Sequence, residues 1–151
     1  MAAAHQVFIY RQALWPLESA APEVVEERRR LADAARDVLL AAGLPVWRLD
    51  NGSIDSADPV VGATVNVDPF VEGGVFVAWK ASMAIVNSAI KALEENRLDD
   101  PAMERYGAII AAMMPAVAQL LTTAGFTVAG TDPAGFRPLE LEITAGPKHA
   151  K

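Results

Sequence analysis

The sequence predicts an α+β domain, a mostly antiparallel sheet of four or five strands with three helices packed on one face, and three observations predict it. Apolar residues recur at three- and four-residue steps after Pro22, after Ser82 and after Pro101, the period of a helix with one buried face. Around Val61–Val67, Val75–Lys80 and Leu139–Ile143 apolar and polar residues instead alternate, the period of a strand. The order helix, strands, two helices, strands is that of a sheet with helices gathered on one side.

The opening segment holds a β-branched and aromatic run, Val7 to Tyr10, which is expected to be a short edge strand before Trp15-Pro16. The first helix begins at Pro22, whose missing N–H costs nothing in a first turn, and Glu23, Glu26 and Glu27 sit near its positive end. Val25, Leu31, Ala35, Val38, Leu39 and Ala42 form its apolar side. Gly43 provides the left-handed stop and Pro45 forbids continuation.

Val46 to Leu49 is the next strand, followed by a polar loop through Asp50-Asn51-Gly52-Ser53 to Pro59. Val61, Ala63, Val65 and Val67 then alternate with Gly62, Thr64, Asn66 and Asp68, while Val75, Val77 and Trp79 alternate with Phe76, Ala78 and Lys80. Only the short, turn-rich run Asp68–Gly74 joins them, too short for a parallel crossover, so the two half-buried strands form a hairpin.

Ser82 is the expected cap of the second helix, with Met83, Val86, Ala89, Ile90 and Leu93 inward and its end near Asn96. Asp100-Pro101 places an N-cap and a first-turn proline at the start of the third helix, which runs towards Gly125. Its almost continuous apolar run (Ile109, Ile110, Met113, Met114, Val117, Leu120, Leu121) marks it as the central core helix or an oligomer contact, with a kink or break expected at Pro115. Phe126–Ala129 and Leu139–Ile143 are the last strands, joined by a turn at Thr131–Gly135, with Leu139, Leu141 and Ile143 inward and Glu140 and Glu142 towards water.

A chain of 151 residues, 52% apolar and 21% charged, has the size and composition of one ordinary core. Residues 1–151 are therefore read as a single domain with fraying ends at about 1–4 and 146–151. The absence of cysteine removes disulfides, thiolate zinc sites, iron–sulfur clusters and thiol nucleophiles, and fits a cytoplasmic protein. A net charge of −6 argues against nucleic acid and anionic lipid as partners. The one basic run, Arg28-Arg29-Arg30, follows three glutamates and reads as a solvated helix face. No run of about 18 uninterrupted apolar residues is present, so no membrane span is expected.

Few residues suggest chemistry. The two histidines, His5 and His149, stand near the chain ends, which argues against a Ser–His triad, and no phosphate-loop, dinucleotide or nucleophile-elbow motif occurs. Asp50, Asn51, Asp55 and Asp58 offer oxygen ligands but lack the EF-hand spacing, and read as a solvated turn. No cofactor or metal is expected. Asp68, Glu72 and Lys80 would make an acid–base cluster if they met at the hairpin's mouth, though Asp68 and Glu72 are also ordinary turn residues. Phe70 at the turn tip is a candidate contact residue, and Trp79 a candidate pocket wall together with Met83, against its simpler role as core.

These readings favour a small acidic protein that acts by protein–protein interaction, as an accessory, inhibitor or immunity-type factor, with a protein partner or self-association. Phe70, the Glu140–Glu142 face and the third helix are its expected contacts. The alternatives are a phage or mobile-element subunit forming an oligomer, a carboxylate-dependent enzyme at the hairpin, and a small-molecule-binding domain.

Overall fold

The computed structural model describes residues 18–50, 61–130, 137 and 139–148. Along the chain lie α1 (Pro22–Ala41), β1 (Val46–Leu49), β2 (Gly62–Val67), β3 (Val75–Lys80), α2 (Met83–Glu94), α3 (Pro101–Thr123), β4 (Thr127–Ala129) and β5 (Leu141–Ala145). The class is α+β. The strands form one five-stranded sheet in the order β1-β2-β3-β5-β4. Its pairs are antiparallel except β1 and β2, which run parallel. The expected strand at Val7–Tyr10 and the turn at Thr131–Gly135 lie outside the described residues.

Each helix stops by the same device. Residues Gly43, Asn96 and Gly125 take positive φ values of 89°, 55° and 98° just past the ends of α1, α2 and α3. The following N–H groups turn back onto the last turn: Leu44 to the Leu39 carbonyl, Arg97 to Ala92, Phe126 to Leu121. Glycine and asparagine are the residues that adopt this conformation at least cost, so all three stops are written locally in the sequence. The start of α3 is equally local, with the Asp100 carboxylate accepting from Ala102 N–H at 2.8 Å and Pro101 in the first turn. Ser82 precedes α2 without making the expected side-chain cap.

The core lies between the sheet and two helices. Ala32, Ala35 and Leu39 of α1 and Met114, Val117 and Leu121 of α3 meet Ala63, Val65, Val67, Val75, Val77, Leu141 and Ile143. Helix α2 packs on α3 instead of on the sheet. Only Ala89 and Ala92 of α2 are buried, and Leu93, expected inward, is 47% exposed.

Four details differ from the sequence expectation. All six residues of β2 are buried, so the strand is covered on both faces and not half-buried. Helix α3 runs through Pro115 without a break. Pro115 is exposed, so its ring and the carbonyl left without a donor face water, where the loss is tolerated. Leu139 precedes β5 and is 52% exposed, whereas Leu141 and Ile143 are buried as expected. Glu140 and Glu142 are half-buried instead of standing in water.

Candidate functional site

Alternation along β2 sends Ala63, Val65 and Val67 to the helices and Thr64, Asn66 and Asp68 to the opposite, far face of the sheet. The register sets Asn66 between Leu49 of β1 and Phe76 of β3, and Phe76 opposite Glu142 of β5. This far face is the most polar buried region among the described residues, with Thr64 and Asn66 each 1% exposed and Asp68 7%.

Asp68 is its organiser. One carboxylate oxygen accepts from Phe70 N–H at 3.1 Å, making a turn just after β2. The other accepts from Arg137 Nη2 at 2.5 Å, and Arg137 donates through Nη1 to Glu140 at 2.7 Å. The Arg137 guanidinium lies 4.0 Å above the centre of the Phe76 ring, a cation–π contact on the far face. From α1, Arg28 Nη1 donates to the Asp68 and Phe70 carbonyls at 2.8 and 2.7 Å. Gly73 completes the corner, since a Cβ there would stand 2.5 Å from both the Asp68 carbonyl and its carboxylate. Two arginines thus hold one buried aspartate and its turn. The arrangement fixes the closed end of the hairpin and engages both Asp68 oxygens.

The residues expected to cluster separate instead. Lys80 pairs with Gly62 at the open end of the hairpin, whereas Asp68 N–H bonds the Gly74 carbonyl at the closed end. That spacing along β2 sets them roughly 20 Å apart. Glu72 is exposed in the turn. Asp68, Glu72 and Lys80 therefore do not converge on one site. Phe70 is half-buried, and its backbone is engaged by Asp68, by Arg28 and by a bridge to Ser19. Trp79 packs against the core. Trp47 of β1 is 45% exposed and donates Nε1–H to the Val61 carbonyl at 3.0 Å.

Sequence reasoning missed Arg28, Arg137 and Asn66. Arg28 was concealed in a charge-balanced run, although it alone of the three arginines falls where α1 passes the hairpin end. Nothing local marks Arg137. Asn66 does carry a signal, an amide in the middle of a β-branched strand two residues before an aspartate. Both its side-chain atoms, Oδ1 and Nδ2, are buried without a hydrogen-bond partner.

The second candidate surface is α3. Met114, Val117 and Leu121 are seated in the core, while Glu104, Ala108, Ala112, Pro115 and Gln119 on the opposite side are exposed. No charged residue occurs between Arg105 and Asp132. By length and composition α3 would suffice to cross a membrane, although no uninterrupted apolar run reaches that length, and only 17% of its apolar window is buried. An open groove of about 490 Å³ runs beside its C-terminal half, lined by Ala116, Gln119, Leu120, Thr123 and Ala124. A smaller one of about 130 Å³ lies between α2 and α3 at Ala84, Ile85, Ser88, Ala102 and Arg105. Neither Trp79 nor Met83 lines these grooves. Among the described residues no group of three His, Asp or Glu is placed to hold a metal ion. His5, His149, Asn51, Asp55 and Asp58 lie outside the described residues.

No family model matches the chain, and no curated protein or solved structure matches it.

Proposed function

We propose that this is a small acidic cytoplasmic protein that acts by protein–protein interaction, with the outward face of α3 as its contact surface. The observation that carries the reading is the exposure of α3: from Ala108 to Thr123 its outward side carries no charge, in a chain of net charge −6. Among the described residues that uncharged side lies open, and it is surface that loses little on leaving water for a partner. Three α3 side chains sit inside the core, which favours a protein contact made by the folded domain over insertion of the helix into lipid.

The carboxylate-enzyme reading gains nothing from the geometry, because Lys80 stands at the far end of the hairpin from Asp68 and both Asp68 oxygens are engaged. Phe70, with its backbone engaged in the same corner, is a weaker contact candidate than α3. The small-molecule reading gains no support from the two grooves beside α3, neither of which includes Trp79.

Native mass spectrometry of the purified protein and its Ala112→Glu variant, each alone and after exposure to a lysate of the source cells, tests the proposal. The expected result is an assembly or retained protein with the wild type that the variant loses while its melting temperature is unchanged. A wild-type monomer carrying only a small bound mass would overturn it.

A further inference from the structure

Arg105 stands near the start of α3, one turn before Ala108 on its outward side, and is exposed. Its guanidinium makes no ion pair or hydrogen bond among the described residues. Every other described arginine except Arg30 is engaged: Arg29, Arg36, Arg48, Arg97 and Arg137 by carboxylates, Arg28 by backbone carbonyls. Arg105 also lines the groove of about 130 Å³ between α2 and α3. We propose that this groove captures the C-terminal end of a partner polypeptide, with an apolar last side chain seated in it and the α-carboxylate on Arg105. The inference rests on the interaction reading above and names the part of the partner that is held.

The walls of the groove set the size and polarity of what it takes. Ala84, Ile85 and Ala102 are apolar, and Ser88 and Arg105 supply the polar atoms. An apolar cavity of about 150 Å³ accepts a six-carbon ring, so this groove has room for one aliphatic side chain and not for a chain laid along it. The Ser88 hydroxyl donates to the Ala84 carbonyl at 2.8 Å, which leaves its oxygen to accept a backbone N–H from the occupant. An apolar side chain and a carboxylate occur on one residue only at the C-terminal end of a polypeptide, since aspartate and glutamate carry their charge where the apolar group would have to be. A chain end of this kind is a recurrent recognition mode.

Charge complementarity selects an anion. Ala84 and Ile85 belong to the first turn of α2, which has neither a Ser82 side-chain cap nor an acidic residue to offset the positive helix end. That end and the Arg105 guanidinium therefore present the same sign to the groove, and Lys91, exposed one turn beyond Ser88 on α2, adds to it. The acidic residues of the α2–α3 connection are directed elsewhere. Asp100 accepts from Ala102 N–H and pairs with Arg97, which also holds Glu95. Glu94, Asp99 and Glu104 are exposed and contribute nothing to the groove's walls. A guanidinium in a groove can hold a carboxylate through two parallel N–H bonds, a geometry that a neutral amide does not match.

Titration of the ¹⁵N-labelled protein with N-acetyl-glycyl-leucine, as the free acid and as the C-terminal amide, tests the assignment by NMR. With the acid, the backbone amides of Ala84, Ile85, Ser88, Ala102 and Arg105 are expected to shift in a saturable way. The amide form, and the acid with the Arg105→Gln variant, are expected to bind at least about tenfold more weakly, the loss of a charge-assisted bond. No saturable shift with the acid, or equal binding of acid and amide, would overturn the proposal. The comparison of acid with amide uses the wild-type protein, so it decides the matter even where Arg105→Gln fails to fold. The wider interaction reading is judged separately: a lysate protein retained by the wild type and lost by Ala112→Glu keeps that reading even where the peptide does not bind.

Discussion

Polar and apolar groups are distributed in opposite senses in two regions of this molecule. On the far face of the sheet, Thr64, Asn66 and Asp68 are buried, and on the outward side of α3 an uncharged surface is exposed. Elementary solvation would reverse both. The far face shows how a buried charge is tolerated: Asp68 is surrounded by Arg137, the Phe70 N–H and, on its carbonyl, Arg28. The α3 face shows no comparable compensation among the described residues. Burial of polar groups with partners is a finished structure, whereas an open, uncharged helix side leaves room for a contact.

The largest effect expected from disturbing this contrast is at Asp68. Asp68→Ala takes one carboxylate from Arg137, whose side chain is only 21% exposed and which keeps its contact with Glu140, and removes the turn bond to Phe70 N–H. Loss of a mostly buried ion pair costs about 3–5 kcal/mol when no substitute remains, and the retained Glu140 contact places this variant near 2–4 kcal/mol. Urea denaturation measures it. A loss below about 1 kcal/mol would mean that Asp68 is not the organiser of the hairpin end.

Arg28 comes next. Its guanidinium ties α1 to the hairpin through two backbone carbonyls, so Arg28→Met keeps much of the aliphatic stem and loses charge-assisted bonds. A cost of about 1–3 kcal/mol is expected, against roughly zero for Arg29→Met and Arg30→Met, whose exposed side chains lack such anchors. Equal effects at all three positions would return Arg28 to the role of a solvated charge.

The same residues show how far the sequence could be read. The helix ends were legible because their causes are local: Gly43, Asn96, Gly125 and Asp100 each act on atoms within a turn. The β2–β3 hairpin was legible because Asp68–Gly74 is too short for any other connection. Partners distant in sequence were not. Arg28 and Asp68 are 40 residues apart and Arg137 and Asp68 are 69 apart, and nothing in either neighbourhood declares the match. Alternation correctly assigned Thr64 and Asn66 to the far face but equated that face with solvent, because period-two patterning separates faces and does not say what covers each. The proposed acid–base cluster failed for a related reason: Lys80 belongs to the same hairpin as Asp68, yet register places it at the opposite end.

Asn66 sharpens the comparison from the polar side. Its amide, buried and without a partner, lies between Leu49 and Phe76. A buried polar group left unsatisfied costs about 1–3 kcal/mol, so Asn66→Leu, similar in volume, is expected to unfold at the same or a higher urea concentration. A destabilisation above about 1 kcal/mol would show that the amide is hydrogen-bonded in solution, and the far face would then be as fully compensated at Asn66 as it is at Asp68.

Ala112→Glu is the smallest change in stability and the most informative about function. Position 112 is exposed in the middle of a helix, opposite the core line of Met114, Val117 and Leu121, and glutamate is a good helix former. The isolated domain should therefore keep its stability within about 0.5 kcal/mol. In an assembly that covers α3, the same substitution places a carboxylate in a dry contact. Stability measured at low protein concentration should then be unchanged, while the concentration dependence of the wild-type melting temperature disappears in the variant. If the variant instead loses stability equally at all concentrations, Ala112 is packed within its own chain, and α3 would belong with the far face of the sheet as a region already complete.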